Sequence, residues 1–290
     1  MDDPWHPGSL ADRNRRGRQP GPAGETGGKA MNRAPLAAGP ARRIGSVPYL
    51  NAVPLTRGLE TETVFAPPSQ LAHWLRHGEL DAALVSLSEV LLTGQYDVLD
   101  GIGIVSHGEV RSVFLAHRQP LDRIRKVFCD PASLTSVNLL RVLLGERGLR
   151  PEFVPLPAYD EAASRDAVLL IGDAALEFAW AGYPHSIWDL GTAWFELTGL
   201  PFVYAAWALR RSAGDDALKS RLRTAREAGV AALEEIIRSH PVGDEAFRRA
   251  YFRECIQFDL GATAQDGVAR FVKLLRRHQS RPVFAPRFVT

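Results

Sequence analysis

The sequence predicts an α/β protein built from largely parallel sheets joined by crossover helices. Three observations carry that prediction. Short apolar runs alternate with helically periodic segments from residue 43 onward, small polar residues stand directly after the apolar runs, and the last eighty residues show helical periodicity alone.

Taken in order, Ile44–Val47 reads as a short strand, followed by a proline-flanked turn and a short helix near Leu55–Leu59. Val64–Ala66 is a second strand. Ser69 then caps a helix in which Leu71, Trp74 and Leu75 recur at i, i+3 and i+4 and Gly78 marks the end. Ala82–Val85 is an apolar run of the kind a buried parallel strand shows, and a helix near Ser88–Leu92 follows. Val98–Leu99, Ile102–Val105, Val113–Ala116 and Val127–Cys129 are further strands. Val137, Leu140 and Leu144 lie on one face of a helix that stops near Gly148. Phe153–Val154, a short helix after Pro157, strand Val168–Ile171, helix Asp173–Trp180 and the β-branched and aromatic run Phe202–Leu209 complete the alternation. Beyond it, Leu218, Leu222, Ala225, Ala232 and Ile236 outline one long helix, and Phe247, Ala250 and Tyr251 a second. Thr263 and Asp266 open a third as a capping box, which makes the tail all helical.

The chain has 290 residues, 46% of them hydrophobic and 23% charged, enough apolar content to build a substantial core. A formal charge of +2 is too balanced for a protein that works mainly by coating nucleic acid or anionic lipid. That charge is unevenly spread. Residues 1–43 hold eight Lys/Arg against four acids together with seven glycines and six prolines, so the rest of the chain is mildly acidic. Such a composition buries too little apolar surface to offset chain entropy, and residues 1–43 are expected to be a disordered basic leader, with Met31 an alternative start. No stretch reaches the roughly 18 apolar residues of a membrane span. The leader also lacks the apolar segment of a secretory signal, so the expected location is the cytoplasm.

Most familiar catalytic signatures are missing. There is no P-loop, no G-x-G-x-x-G after a strand, no H-E-x-x-H and no G-x-S-x-G elbow. Cys129 and Cys255 have no metal-ligand spacing. His73 and His77 stand at i, i+4, but a solvated helix face explains them better than zinc, which needs three or four convergent ligands. No metal is expected.

What recurs is a polar group between a strand and the following helix. Asn51 follows the first strand, Ser86 and Ser88 the third, Ser133, Thr135 and Ser136 the Val127–Cys129 strand, and Gly172 and Asp173 the Val168–Ile171 strand. Serine, threonine, aspartate and asparagine are also the preferred helix N-caps, so each residue taken singly reads first as a cap. Taken together they mark the carboxyl ends of strands, where α/β sheets bind ligands and helix N-termini favour anions.

Several of these segments carry a family resemblance. Arg43-Ile-Gly-Ser-Val-Pro-Tyr-Leu-Asn-Ala-Val-Pro-Leu55, Asp81-Ala-Ala-Leu-Val-Ser-Leu-Ser-Glu89, Ser106-His-Gly-Glu-Val-Arg-Ser-Val113, Asp130-Pro-Ala-Ser-Leu-Thr-Ser-Val137, Leu169-Leu-Ile-Gly-Asp-Ala-Ala-Leu176, Trp188-Asp-Leu-Gly and Thr198-Gly-Leu-Pro-Phe-Val203 occur in order. Together they resemble the chorismate dehydratases of menaquinone biosynthesis by the futalosine route. Pro48 departs from the family pattern, which more often has serine there, and restrains the backbone at Val47.

The resemblance implies a two-lobed, type II periplasmic-binding-protein-like α/β fold, with lobe one formed by residues 44–112 and 206–290 and lobe two by residues 113–205. The C-terminal helices would pack on lobe one. It implies a lyase that converts chorismate to 3-((1-carboxyvinyl)oxy)benzoate and water in the cleft between the lobes. Asn51 would be the catalytic residue. Tyr49, Ser86, Ser88, Ser106, Ser133, Thr135, Ser136, Gly172 and Asp173 would bind substrate, with Asp173 either fixing the hydroxyl or capping its helix. No cofactor, nucleic acid or membrane is implied, and the chain would be a monomer or homodimer. His107 is not carried over from the family pattern. The alternatives are a non-catalytic small-anion binding protein of the same fold, or the pathway's 1,4-dihydroxy-6-naphthoate synthase. The latter has a catalytic histidine where this chain has Gly172.

Overall fold

A computed structural model describes residues 43–132 and 134–290. Residues 1–42, and with them the expected leader and Met31, lie outside it, as does Ser133.

Two sheets organise the chain. In the first, strands Ile44–Ser46 (β1), Thr63–Phe65 (β2), Ala82–Ser86 (β3), Tyr96–Ser106 (β4), Phe202–Arg210 (β10) and Arg287–Val289 (β11) lie in the order β11-β4-β10-β3-β1-β2. β1 runs parallel to β2 and β3, β10 antiparallel to β3 and β4, and β11 parallel to β4. The second sheet contains Val113–His117 (β5), Lys126–Cys129 (β6), Glu152–Pro155 (β7), Ala167–Ile171 (β8) and Ser186–Asp189 (β9), ordered β7-β6-β8-β5-β9. The chain passes from one sheet to the other between Ser106 and Val113 and returns before Phe202.

Burial follows strand periodicity. Along β5, Val113 and Leu115 join the large core while Phe114 and Ala116 join a smaller cluster with Val168, Leu170, Ala175 and Phe178 on the opposite face. Both faces of the central strands β5 and β8 are therefore covered, which is why these two read as nearly unbroken apolar runs rather than alternating ones. Trp194 and Trp207 are fully buried; the Trp194 indole N–H donates to the Pro201 carbonyl, whereas the Trp207 N–H has no hydrogen-bond partner among the described residues.

Several local expectations are corrected. The expected pair Val98–Leu99 and Ile102–Val105 is one strand, interrupted where Gly101 adopts φ +72°. Ala206 pairs with Gly103 but Ala208 already with Val98, so β4 accommodates extra residues at this irregularity. The first short helix is a 3-10 turn at Leu50–Leu55, a turn earlier than expected. Pro67, not Ser69, precedes the Pro68–Arg76 helix, because Pro68 sits at its first position, where a missing N–H costs nothing. The long C-terminal helix breaks at Ala232 into Asp216–Ala231 and Leu233–Ser239. Gly261, not Thr263, precedes Ala262–His278. β9, the Leu190–Thr198 helix and β11 were not foreseen, and β11 means the tail is not wholly helical.

The Ala262–His278 helix packs on β10 and also on the Leu134–Glu146 helix beside the second sheet. At that second contact His278 Nε2 lies 2.7 Å from Glu146 Oε1. The Asp216–Ala231 helix covers the Leu50–Leu55 turn. A Cβ on Gly229 would lie 1.8 Å from the Pro54 carbonyl oxygen, so only glycine permits this backbone-on-backbone approach. The outer edge of β4 is covered by β11 along Asp97–Leu99, and by Gln257, which exchanges both backbone hydrogen bonds with Val105.

Candidate functional site

The ends of β1, β3, β6 and β8 converge on a cleft open to solvent, with residues of both sheets in its walls. Its polar lining comes from Tyr49, Asn51, Ser86, Ser112, Thr135, Ser136 and Tyr204. Val47, Leu84, Ile104, Val110, Val113 and Ile171 supply apolar wall.

Tyr49, Asn51, Ser86, Thr135, Ser136 and Gly172 thus line one cleft. The other residues singled out in the sequence stand elsewhere. Ser88 is fully buried and meets Thr135 through its backbone, donating N–H to Oγ1 at 2.9 Å. Ser106 is fully buried behind the wall, its hydroxyl donating to the Gly108 carbonyl and 3.0 Å from the Tyr204 hydroxyl. Asp173 is not among the lining residues. It lies in the first turn of its helix, where a carboxylate suits the dipole, and accepts the Leu50 N–H at 3.4 Å. It neither caps the helix, since the cap position is Ile171, nor reaches the cleft wall. His107 is exposed and packs edge-on against Phe195.

The cap reading also fails for Ser86. It occupies the cap position of the Leu87–Thr93 helix, yet its hydroxyl makes no cap bond. Instead it hydrogen-bonds Thr135 Oγ1 and accepts the Thr135 N–H at 2.9 Å. Thr135 stands in the first turn of the Leu134–Glu146 helix, so an element of the second sheet is tied to β3 of the first. On the opposite wall the Tyr49 ring lies over Gly172, whose φ of +57° would strain any side chain, while an added Cβ would meet the ring at an ordinary contact distance of 3.5 Å.

Burial shapes the titrating groups around the cleft. The Tyr49 phenol is pushed well up by burial and by the neighbouring Asp130 and Asp173 carboxylates, and so stays protonated. Asp130 is fully buried and burial raises it to about 6, although its Oδ1 accepts from the Ala132 N–H at 2.8 Å and the Tyr159 hydroxyl at 2.9 Å. Its Oδ2 has no hydrogen-bond partner. An adjoining recess shares Pro68, Ser86 and Ala132 with the cleft and contains Arg76 and Glu89, paired with each other at 3.3 Å. No lysine, arginine, histidine or carboxylate lines the main cleft among the described residues. Nor, among the described residues, do three or more His, Cys, Asp or Glu side chains gather in a metal-binding group.

Three contributors escaped sequence reasoning. Tyr204 projects from the middle of β10. Ser112 lies in the crossover loop, where Asp189 accepts the backbone N–H groups of Val110 and Arg111 while capping Leu190–Thr198 through Thr192. Tyr251, fully buried, reaches in from the C-terminal region. Its hydroxyl lies 2.8 Å from Ser112 Oγ, which lines the cleft. None of these follows a strand and precedes a helix, the only positional signal the sequence offered.

Comparison with known proteins follows the same outline. The profile of a family described as menaquinone biosynthesis matches residues 42–277. A chorismate dehydratase of Thermus thermophilus is 36% identical over 216 residues, 67% of this chain and 79% of that protein. One of Campylobacter jejuni is 27% identical over 229 residues, 78% of this chain and 89% of that protein. Among solved structures, a protein of Archaeoglobus fulgidus superposes with a TM-score of 0.65 at 15% identity, over 81% of this chain and 96% of its own. The alkanesulfonate-binding protein of Xanthomonas axonopodis pv. citri bound to MOPS gives 0.61 at 16% identity, over 87% and 99%. A Candida albicans protein described as having the generic periplasmic binding protein fold gives 0.58 at 12%, over 87% and 98%. The fold is thus the periplasmic-binding-protein-like one that the sequence suggested.

Proposed function

The chain belongs to the menaquinone-biosynthesis family, and on that premise we propose that it is a hydro-lyase that converts chorismate to 3-((1-carboxyvinyl)oxy)benzoate and water. We place the reaction in the cleft between the two sheets, in the futalosine route and in the cytoplasm. The observation that carries this reading is the character of the lining: neutral hydroxyl, phenol and amide groups, with a helix N-terminus at Thr135 and Ser136 and apolar wall for a ring.

Chorismate is a dianion that carries a ring hydroxyl. Its dehydration breaks the carbon–oxygen bond to that hydroxyl and the carbon–hydrogen bond at the ring carbon bearing the enolpyruvyl ether, and the electron pair released completes the aromatic ring. The hydroxyl leaves with a proton as water, so the step is redox-neutral. Aromatisation supplies the driving force, and the protein's task is to orient substrate and assist the departing hydroxyl.

A carboxylate taken from water needs donors, and Thr135, Ser136 and Ser86 offer them at the positive end of a helix. Asn51 assists the departing hydroxyl through its amide. With no ionised base among the lining residues, the substrate's own enolpyruvyl carboxylate, adjacent to the acidic ring carbon, accepts the proton. Incubation with chorismate followed by mass spectrometry tests the function. A product lighter by one water is expected. Chorismate bound but unchanged would instead mark a binding protein.

A further inference from the structure

The second sheet has a concavity at the end opposite the cleft. Lys126 opens β6 and Ala167 opens β8, two parallel strands that run from this concavity to the cleft, which they meet near Ala132 and at Ile171. The two openings are therefore separated by the length of the strands, roughly 10–15 Å. The walls of the concavity are basic, with Arg123, Arg125, Lys126 and Arg165 set against one acid, Asp166. We propose that it binds a phosphate-bearing small molecule, with Arg123 and Arg125 holding the phosphate group. The site is separate from the cleft and does not depend on the reaction proposed above.

The four cations are not equivalent. Lys126 pairs with Glu152 at 3.3 Å and Arg165 pairs with Glu161, so the protein itself answers much of their charge. Arg125 gives one N–H to the Asp122 carbonyl at 3.1 Å and forms no ion pair among the described residues. Arg123 makes neither a side-chain hydrogen bond nor an ion pair among them. Two exposed guanidinium groups two positions apart thus stand without a counter-ion, in a chain that is mildly acidic beyond residue 43. A dianion between them relieves their mutual repulsion, and the guanidinium fork matches two phosphate oxygens at once.

The rest of the wall suits the remainder of such a molecule. The Arg165 guanidinium lies over the Phe128 ring, 4.3 Å from its centroid, and is held flat by that stacking. Its Nε–H is buried without a hydrogen-bond partner among the described residues. Gln119 and Ser164 add neutral polar groups, and Gln119 Nε2 lies 3.5 Å from Asp166 Oδ2. Asp166 can accept from a hydroxyl of the molecule that carries the phosphate, and it opposes a ligand that is anionic throughout. With a volume of about 390 Å³ the concavity has room for more than one bare ion. A nucleic acid would need a basic track reaching well beyond one pocket, which a formal charge of +2 over the chain does not favour.

Isothermal titration calorimetry of the full chain at low ionic strength tests the proposal, with ribose 5-phosphate and inorganic phosphate as probes and ribose and malonate as controls. Ribose 5-phosphate should bind saturably, one per chain, with a Kd below about 1 mM, inorganic phosphate more weakly, and the controls not at all. Arg123→Ala/Arg125→Ala should weaken ribose 5-phosphate at least about tenfold without moving the thermal midpoint of the free protein. Arg123→Ala alone, which breaks no bond within the protein, should weaken it severalfold and stands as the test should the double variant fold poorly. Arg249→Ala/Arg253→Ala removes two exposed charges elsewhere and should leave binding within about twofold. A crystal soaked with ribose 5-phosphate should show its phosphorus between Arg123 and Arg125. Absence of saturable binding by either phosphate probe overturns the proposal. So does malonate bound as tightly as ribose 5-phosphate, an equal loss in the two double variants, or a probe found only in the cleft.

Discussion

Asn51 and His107 are the two residues that separate the mechanistic possibilities. Asn51→Ala should lower kcat on chorismate about a hundredfold, the usual loss for one well-placed polar group acting on a departing or developing oxygen. His107→Ala should turn over at close to the wild-type rate, because the ring is exposed against Phe195 and is not part of the cleft lining. Loss of turnover with intact binding in His107→Ala would sink the substrate-assisted proton transfer. Asp130 makes a different, thermodynamic prediction. Burial raises its carboxyl from 3.8 to about 6, so the fold prefers the protonated form. The corresponding stabilisation is complete below 3.8, is lost as pH rises through 6, and amounts to about 3 kcal/mol. Asp130→Asn cannot ionise. In urea titrations its stability relative to wild type should therefore rise between pH ~4 and pH ~7 and then level off; parallel stability curves across that range would refute the assignment. The carboxyls of buried Glu89 and half-buried Asp173 and Asp189 shift in the same direction, and the paired comparison cancels them.

At the scale of elements, the Leu50–Leu55 turn takes its position from the helix packed over it. Gly229→Ala improves helix propensity by roughly 0.5–1 kcal/mol. The added Cβ would nevertheless lie 1.8 Å from the Pro54 carbonyl oxygen, and overpacking of this kind costs about 1–3 kcal/mol. The clash wins, so thermal unfolding should shift downward. Turnover should fall as well, because the displaced turn carries Asn51. The crossover loop depends on Asp189 in the same way. Its carboxylate collects the N–H groups of Val110, Arg111 and Thr192, and Arg111 holds φ +59°, a conformation that needs such support. Asp189→Ala leaves those donors unpaired at about 1–3 kcal/mol each where water cannot reach them. Hydrogen exchange of residues 109–112 should accelerate, and activity should fall with it, since Val110 and Ser112 are cleft wall.

Across the whole molecule, contacts on several sides bring the two sheets and their helices together: Ser86 with Thr135, Leu50 with Asp173, Tyr49 over Gly172, and Trp180 edge-on to Phe247 at 5.0 Å. Trp180 is 48% exposed and is not a lining residue, so Trp180→Ala should change stability by no more than about 1 kcal/mol. Its expected signature is a rise in KM with little change in kcat, together with a larger radius of gyration in solution scattering. How much of this was legible in the sequence follows from what each residue is for. Asn51, Ser86, Thr135 and Gly172 could be found because strand-to-helix turns announce themselves locally. Tyr204, Ser112 and Tyr251 could not, because they reach the site from mid-strand, from a crossover loop and from a distant helical segment, placements that only tertiary packing creates. The break at Ala232 and the joining of two expected strands into β4 were hidden for the same reason, since periodicity reports a face and not a boundary. The short β11 has a practical bearing on handling. It shields Asp97–Leu99 of an 11-residue strand, and Arg287 pins it there by pairing with Asp97. An unpaired strand edge is a template for association with other chains. Deletion of residues 286–290 should therefore convert a monodisperse preparation into one that aggregates with time, and a purification tag appended after Thr290 would pull on the very segment that prevents it.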